Sequence, residues 1–334
     1  MKGRFSGRWA TRGRWLIGLA VAAVSVWLLA RQIAWPAVVE ALRGVDYRWV
    51  GLGVLAIIGT FFTRAWRWRV LLHQAQPRFV ALLAALLIGQ VANMVLSRSG
   101  ELLRAVWIAP EEESSTTEAL GSVAVEKLWD LLALFVAAVL LLLWMPLPEW
   151  FVQSVWGTGL LLVLGTVLVG VGLRWQRIWL GWLERLLAWL PPRWGEALVP
   201  RVRRVLLGMT SVQEPALFAP VVGWTVCYWA LGALANWAVL RSFGLATAPG
   251  ALLLLVTLMV GSAASVPVPA SLGVFEGIVV VSLALFDVPA DQALAVGLVM
   301  RLVVMGPPLV GAGLMGLWSR RSGALDYEYE RQAP

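Results

Sequence analysis

Apolar runs of about twenty residues recur along almost the whole chain, and they restrict its possible folds more than any other feature. A helix of that length crosses the roughly 30 Å hydrocarbon layer of a bilayer. Backbone polar groups in that layer must be satisfied internally, which helices achieve. The sequence therefore predicts an all-α, polytopic membrane protein that forms one integral-membrane domain over residues 1–334.

Composition narrows the functional classes. The chain is 60% hydrophobic and 14% charged, with a net charge of +8, and its lysines are Lys2 and Lys127. In so apolar a chain, arginine-rich basicity indicates anionic lipid headgroups as partners rather than nucleic acid. A single cysteine excludes an internal disulfide, no Cys/His cluster predicts a metal or other cofactor, and no GxxxxGK[ST] pattern predicts ATP hydrolysis.

The apolar runs divide the chain into two halves with a similar plan. Six full transmembrane helices are predicted, at 15–30, 49–72, 117–144, 155–173, 217–240 and 291–317. Two interrupted stretches, 79–108 and 249–286, are predicted to be re-entrant or broken helical hairpins, which gives about eight membrane segments. The predicted division is a first half at 14–145, cytoplasmic amphipathic helices at 174–213, a second half at 217–317 and a charged tail at 318–334.

Arginine distribution predicts the orientation. If each hairpin leaves on the side that it enters, nearly all arginines and both termini lie in the cytoplasm, as the positive-inside rule requires. One net crossing by the first hairpin would instead place the seven arginines of 174–213 outside. Paired full spans satisfy the rule equally well, so the pattern leaves that alternative open. The first hairpin is predicted to open to the cytoplasm and the second to the outside of the cell membrane.

The two halves also share a sequence pattern. Residues 117–128 align without a gap to residues 291–302, and Lys127 then falls on Arg301. Each copy follows a broken hairpin that ends near a glycine and a glutamate. Oppositely oriented repeats with interrupted helices are the layout of transporters whose site lies at the membrane midplane. The sequence therefore predicts an inverted repeat.

Charged residues inside the apolar segments mark the candidate site, because buried charge in a membrane is costly and usually functional. Counted along their helices, Lys127 and Arg301 reach similar depths from opposite sides and are predicted to meet near the midplane. In this hypothesis the basic residues hold a lipid phosphate while Glu101, Glu126 and Glu276 balance them or hold an amine. The alternative is a structural salt-bridge network that clamps the hairpins. The candidate headgroup-binding residues are Asn93, Arg98, Glu101, Arg104, Glu126, Lys127, Asp130, Pro269, Gly273, Glu276 and Arg301.

A second group of basic residues lies at the end of the 49–72 span. Arg64, Arg67 and Arg69 alternate there with Trp66 and Trp68. Arginines that reach toward phosphates and indoles at headgroup level are typical of a membrane interface. These residues are predicted to be anchors rather than parts of the site.

Four segments resemble the flippase-like family, the membrane region of lysylphosphatidylglycerol synthases. They are RAWRWRVLL, NMVLSRSGELLR, AVEKLWD and VPVPASLGVFE, and the resemblance covers about residues 14–317. It implies movement of modified or glycosylated polar lipids across the cytoplasmic membrane. The family's recurrent positions correspond to Asn93, Gly100, Glu101, Arg104, Glu126, Asp130, Pro269, Gly273 and Glu276. Ser97 and Ala270-Ser271 depart from its usual proline and glycine pair.

These patterns favour a lipid flippase that works by alternating access and is not an enzyme. The chain ends soon after its last predicted span, so the resemblance implies the stand-alone form without the soluble aminoacyl-transferase domain. Two alternatives stay open. One is an integral-membrane enzyme that uses Glu126 and Asp130 as acid–base groups. The other is an accessory scaffold for a separate lipid-modifying synthase or glycosyltransferase.

Overall fold

A computed structural model describes most of the chain. The described residues are 35–72, 77–95, 99–108, 116–175, 178, 180–182, 185, 192–209, 211, 214–245, 248–264 and 273–321. The predicted first span, the acidic residues 111–113 and the break at 266–272 lie outside them.

Every regular element in the described part of the chain is a helix. In chain order they are α1 (Trp35–Arg43), α2 (Tyr47–Leu71), α3 (Phe79–Val95), α4 (Ser99–Ile108), α5 (Thr116–Trp144), α6 (Glu149–Arg174), α7 (Pro192–Gly208), α8 (Pro215–Ser242), α9 (Ala248–Ala264), α10 (Val274–Ala284) and α11 (Ala290–Arg321). Helices α2, α5, α6, α8 and α11 are each long and apolar enough to cross a membrane. The chain is therefore a multi-pass membrane protein, as its apolar runs predict.

The two interrupted stretches form helix pairs. Helices α3 and α4 make up the first hairpin, and α9 and α10 make up the second. At about 1.5 Å per residue, α4 and α10 are roughly 15–17 Å long, about half of the hydrocarbon thickness. Neither second arm can cross the bilayer by itself.

Glycine permits the close packing of the first hairpin. A Cβ atom on Gly100 would lie 2.0 Å from the Gly89 carbonyl oxygen and 2.7 Å from Cγ of Asn93. Without side chains, the two backbones meet, and the Asn93 side-chain oxygen accepts a 2.7 Å hydrogen bond from the Gly100 N–H. Asn93 thereby satisfies one of the free donors in the first turn of α4.

The short helix of the second hairpin, α10, also begins at a glycine. Gly273 has a φ of +76°, a conformation that favours glycine, and it precedes the first turn of α10. Its N–H donates to Oε2 of Glu276 at 3.0 Å. Ser282 of α10 also donates to Thr257 of α9 at 2.9 Å, which holds the two arms together.

Helices α2 and α8 form the most extensive contact among the described helices and run antiparallel. Trp49 meets Trp237 at one end, with ring centroids 5.3 Å apart. Trp66 stacks on Trp224 at the other end, at 6.0 Å. The two halves of the chain are therefore joined through α2 and α8, the first long helix that the structure describes in each half.

Other packing pairs occur in matching sets when the halves are exchanged. Helix α3 packs on α11 as α9 packs on α5, α4 packs on α5 as α10 packs on α11, and α1 packs on α11 as α7 packs on α5. Helix α6 packs on α5 and leaves most of its apolar surface exposed. A helix of this composition is stable with that surface in contact with lipid.

Candidate functional site

A buried stripe on α2 supplies arginines that the sequence pattern assigned to the interface. Arg64, Arg67 and Trp68 are spaced at i, i+3 and i+4, which places them on one helix face. The Arg67 and Trp68 side chains are fully buried, and the Trp68 indole N–H donates to Ser122 Oγ at 2.9 Å. The prediction that these three residues are interfacial anchors is wrong, because they face α5 instead of the headgroups. Arg69 stacks on the exposed Trp66 ring on the opposite face.

Glu126 is the centre of the site. Its Oε1 atom accepts from Arg64 Nε at 2.8 Å and from Arg67 Nη2 at 3.2 Å. Its Oε2 atom lies 2.8 Å from Nη1 of Arg104. Three arginines from α2 and α4 thus converge on one fully buried carboxylate of α5, and both of its oxygens are ion-paired.

Two further carboxylates extend the network toward the surface. Asp130 Oδ1 lies 2.8 Å from Arg67 Nη2, and its Oδ2 lies 3.9 Å from Lys127 Nζ. Lys127 Nζ also lies 3.5 Å from Glu101 Oε1 of α4.

We name these residues the first-half cluster. Its members are Arg64, Arg67, Glu101, Arg104, Glu126, Lys127 and Asp130. Among the residues that the structure describes, four cations face three carboxylates, which leaves one positive charge in excess. An uncompensated charge at membrane depth is unfavourable, so this cluster favours the approach of an anion.

Arg104 is the least satisfied member of the first-half cluster. It is almost fully buried, and among the described residues its Nη1 pairs with Glu126 while Nε and Nη2 have no hydrogen-bond acceptor. Its guanidinium stacks on the Trp68 ring, with 4.8 Å from Cζ to the ring centroid. A buried donor without an acceptor is costly, and a guanidinium fork matches the oxygens of a phosphate. The geometry therefore suits a phosphate oxygen that completes the coordination of Arg104.

The second half contains a separate ion pair. Arg301 of α11 binds Glu276 of α10 in a two-pronged arrangement, with Nε on Oε1 and Nη2 donating to Oε2 at 2.7 Å. The guanidinium also lies over the Phe275 ring and contacts the Met305 sulfur. One cation and one carboxylate balance each other here.

The two halves thus place matching residues in matching pairs. Lys127 bridges α5 to Glu101 of α4, and Arg301 bridges α11 to Glu276 of α10. Their exposure differs strongly. Lys127 and Glu101 are 47% and 28% exposed, whereas Arg301 and Glu276 are 11% and 8% exposed. The first pair is accessible and loosely joined, and the second is closed.

The structure divides the predicted site residues into two groups. Glu101, Arg104, Glu126, Lys127 and Asp130 lie together, and Asn93 adjoins them as the cap of α4. Gly273, Glu276 and Arg301 form the second group, while Arg98 and Pro269 lie outside the described residues. Lys127 and Arg301 are each neutralised by a carboxylate of their own half, and α5 makes no extensive contact with α11 among the described helices. These contacts favour two sites over the shared midplane pair that helix depth predicts.

Sequence reasoning missed Arg64 and Arg67, and with them two residues of α8. Arg67 Nη1 donates to Thr225 Oγ1 at 3.4 Å, and its guanidinium lies 5.1 Å from the Tyr228 ring centroid. The i, i+3, i+4 spacing of Arg64, Arg67 and Trp68 is the signal that could have identified the buried face. No comparable signal marks Tyr228.

Comparison with known proteins identifies the family. The family model described as lysylphosphatidylglycerol synthase TM region matches residues 15–311. The chain belongs to this family. The match includes both hairpins and both ion-pair groups, and it makes the chain a membrane domain of a family associated with lipid synthesis and flipping. No curated protein and no solved structure matches the chain.

Proposed function

We propose that this member of the lysylphosphatidylglycerol synthase transmembrane family is a lipid flippase that moves a phosphate-bearing polar lipid across the cell membrane. The excess positive charge of the first-half cluster carries this proposal, together with the unsatisfied donors of buried Arg104. A phosphodiester headgroup brings one negative charge and several acceptor oxygens. Its binding neutralises the excess positive charge of the first-half cluster and supplies acceptors for the Arg104 donors.

The exposed pair gives the headgroup a route to Arg104. Lys127 and Glu101 are joined across 3.5 Å and are partly exposed, so an incoming phosphate can displace Glu101 from Lys127 at small cost. Arg104 lies on α4, one turn beyond Glu101, and binds the headgroup next. Movement to the other side then requires the Arg301–Glu276 pair to open.

The matching contacts support an inverted repeat. Antiparallel packing of α2 on α8, together with exchangeable sets of helix contacts, is the arrangement that two oppositely inserted halves produce. With six spans, two broken hairpins and cytoplasmic termini, the first hairpin opens to the cytoplasm and the second outside. The loose first pair and closed second pair then correspond to a cytoplasm-facing state.

Geometry favours transport over the enzymatic alternative. Both oxygens of Glu126 are ion-paired to arginines, and Asp130 contacts Arg67 and Lys127. A general base must hold an oxygen within reach of a substrate proton, and Glu126 has none available. We therefore propose that the chain is not an enzyme and acts without its own cofactor, beside a separate lipid-modifying synthase or glycosyltransferase.

Reconstitution in liposomes tests the proposal. Purified protein is expected to move a fluorescent phosphatidylglycerol between leaflets faster than a phosphate-free glycosyl diacylglycerol, because only the former supplies the phosphate. Dithionite quenching measures the fraction moved. Equal rates for both lipids, or no rate above that of protein-free liposomes, would contradict the proposal.

A matched pair of variants tests the site. Arg104→Gln removes the buried guanidinium and is expected to slow phosphatidylglycerol movement at least tenfold, on the order of one charged hydrogen bond. Arg69→Gln removes an arginine that lies on Trp66 outside the cluster and is expected to keep the wild-type rate. Equal rates for both variants would place the site elsewhere.

A further inference from the structure

A second surface combines exposed aromatic and basic side chains. Trp175, Ile178 and Trp182 are 52%, 58% and 64% exposed. Leu180, between them, is buried against Val199 of α7. Large apolar residues rarely lie in water as a group, and tryptophans concentrate at the headgroup level of membranes.

Helix α7 adds positive charge to the same surface. Its buried face holds Val199, while Arg201, Arg203 and Arg204 are exposed. We call the six exposed residues the lipid platform. They are Trp175, Ile178, Trp182, Arg201, Arg203 and Arg204.

The position of α7 puts the lipid platform at a membrane surface. A Cβ on Gly172, near the end of α6, would lie 3.7 Å from Leu206 of α7. The carbonyl of Glu118, in the first turn of α5, lies against Gly208 at the end of α7. Helix α7 therefore lies where one transmembrane helix ends and the next begins, which is the depth of lipid phosphates.

The equivalent helix of the first half lacks this charge. Helix α1 packs on α11 as α7 packs on α5, yet its exposed residues include Glu40 beside Arg43. The same structural position is thus neutral at one membrane surface and strongly basic at the other. The positive-inside bias predicts that α7 lies on the cytoplasmic side, where anionic phospholipid headgroups are the ligands within reach of its arginines.

We infer that the lipid platform binds the headgroups of anionic phospholipids. This binding displaces α7 and shifts the first-half cluster through the Gly121–Gly208 contact between α7 and α5. Each arginine near an anionic membrane surface strengthens binding about fivefold. The indole and isoleucine side chains hold the same surface against the acyl boundary. The platform binds lipid as a surface and is distinct from the transport site at Arg104.

The contact of α7 with α5 is close, because backbone lies directly against backbone. A Cβ on Gly121 would lie 2.1 Å from the Val205 carbonyl oxygen, and a Cβ on Gly208 would lie 2.0 Å from that of Glu118. Gly121 precedes Ser122, which accepts from Trp68, and lies five residues before Glu126. A displacement of α7 by bound lipid therefore shifts the part of α5 that carries the cluster.

Spin labelling tests the binding. In a Cys227→Ala background, a nitroxide on Leu207→Cys reports the depth of α7 in nanodiscs of phosphatidylcholine or of equal parts phosphatidylcholine and phosphatidylglycerol. The label is expected to move deeper with phosphatidylglycerol. R203Q/R204Q is expected to weaken the binding of phosphatidylglycerol that this movement reports on the order of twentyfold, because each arginine contributes about fivefold. The control R43Q/R48Q removes two exposed arginines elsewhere and is expected to respond as wild type.

Amide hydrogen exchange of residues 116–125 tests, without a transport assay, whether lipid bound at the platform affects α5. Phosphatidylglycerol is expected to slow this exchange in wild type and in R43Q/R48Q but not in R203Q/R204Q. An unchanged label depth in wild type would overturn the platform. A label that moves while exchange in α5 stays constant would overturn the transmission. Both readouts are independent of flipping, so they stand even where the proposed function fails.

Discussion

At the scale of single residues, the members of the first-half cluster differ in how many partners their charged groups have. Glu126 receives three arginines, whereas Arg104 retains donors without good acceptors. Buried ion pairs contribute little net stability because desolvation offsets their attraction, but loss of one partner is costly. The network therefore depends most on the residue with the most partners, Glu126.

Replacement of Glu126 by glutamine tests this dependence. Glu126→Gln keeps the shape but leaves the arginines without their carboxylate, and it is expected to lower the free energy of unfolding by about 3–5 kcal/mol. Unfolding in mixed micelles measures the change. Glu149→Gln, at the start of α6 and outside the cluster, is the control and is expected to change it by less than about 0.5 kcal/mol. Equal losses in both variants would contradict a special role for Glu126.

At the scale of elements, glycine contacts decide how closely helices approach. The α3–α4 hairpin closes at Gly89 and Gly100, and α7 closes on α5 at Gly121 and Gly208. Small residues at helix crossings are a common means of close packing in membranes. The hairpin crossing also fixes the position of α4 at its N-terminus. Helix α4 carries both Glu101 and Arg104.

The variant Gly100→Ala is expected to open the first hairpin. Its added methyl group would overlap the Gly89 carbonyl, and overpacking of this kind costs about 1–3 kcal/mol. Transport is expected to fall as well, because Arg104 moves with α4. Gly277→Ala in α10 has open space around its Cβ and is expected to be neutral or stabilising by up to about 1 kcal/mol. Wild-type stability and transport in Gly100→Ala would refute the close crossing.

The elements were largely predictable from the sequence, and the partners of the charged residues were not. Apolar length alone indicated spans close to α2, α5, α8 and α11, because about twenty residues are needed to cross the bilayer. Pairing between Arg67 and Glu126, 59 residues apart, depends on which helices become neighbours, and periodicity carries no such information. Counting residues from a helix start gave similar depths for Lys127 and Arg301, but depth does not determine lateral position.

At the scale of the whole molecule, the ion pairs described above form within each half, while the apolar contacts cross between the halves. Helix α2 packs on α8 and α11, whereas the Lys127–Glu101 and Arg301–Glu276 pairs each stay within one half. Alternating access requires that one end opens while the other stays closed. Locally neutralised pairs permit this, because either pair can separate without loss of the other.

Double-mutant cycles on the glutamine variants test this independence. The pair Arg301/Glu276 is expected to show a coupling energy of about 1–3 kcal/mol, and Lys127/Glu101, which is more exposed, less than about 1 kcal/mol. Across halves, Lys127/Arg301 is expected to be additive within about 0.5 kcal/mol. Stability in micelles supplies all three values. A cross-half coupling as large as that of Arg301/Glu276 would restore the shared midplane pair that the sequence predicts.

The α2–α8 contact has a consequence for ancestry. Its tryptophan pairs join two antiparallel helices, and under the inverted repeat proposed above these would be corresponding helices that present self-complementary surfaces to each other. Such self-complementary surfaces are what a twofold dimer uses. A half-length precursor inserted in both orientations would already have possessed this dimer interface, and gene duplication followed by fusion would have needed only to join two polypeptides that were partners before.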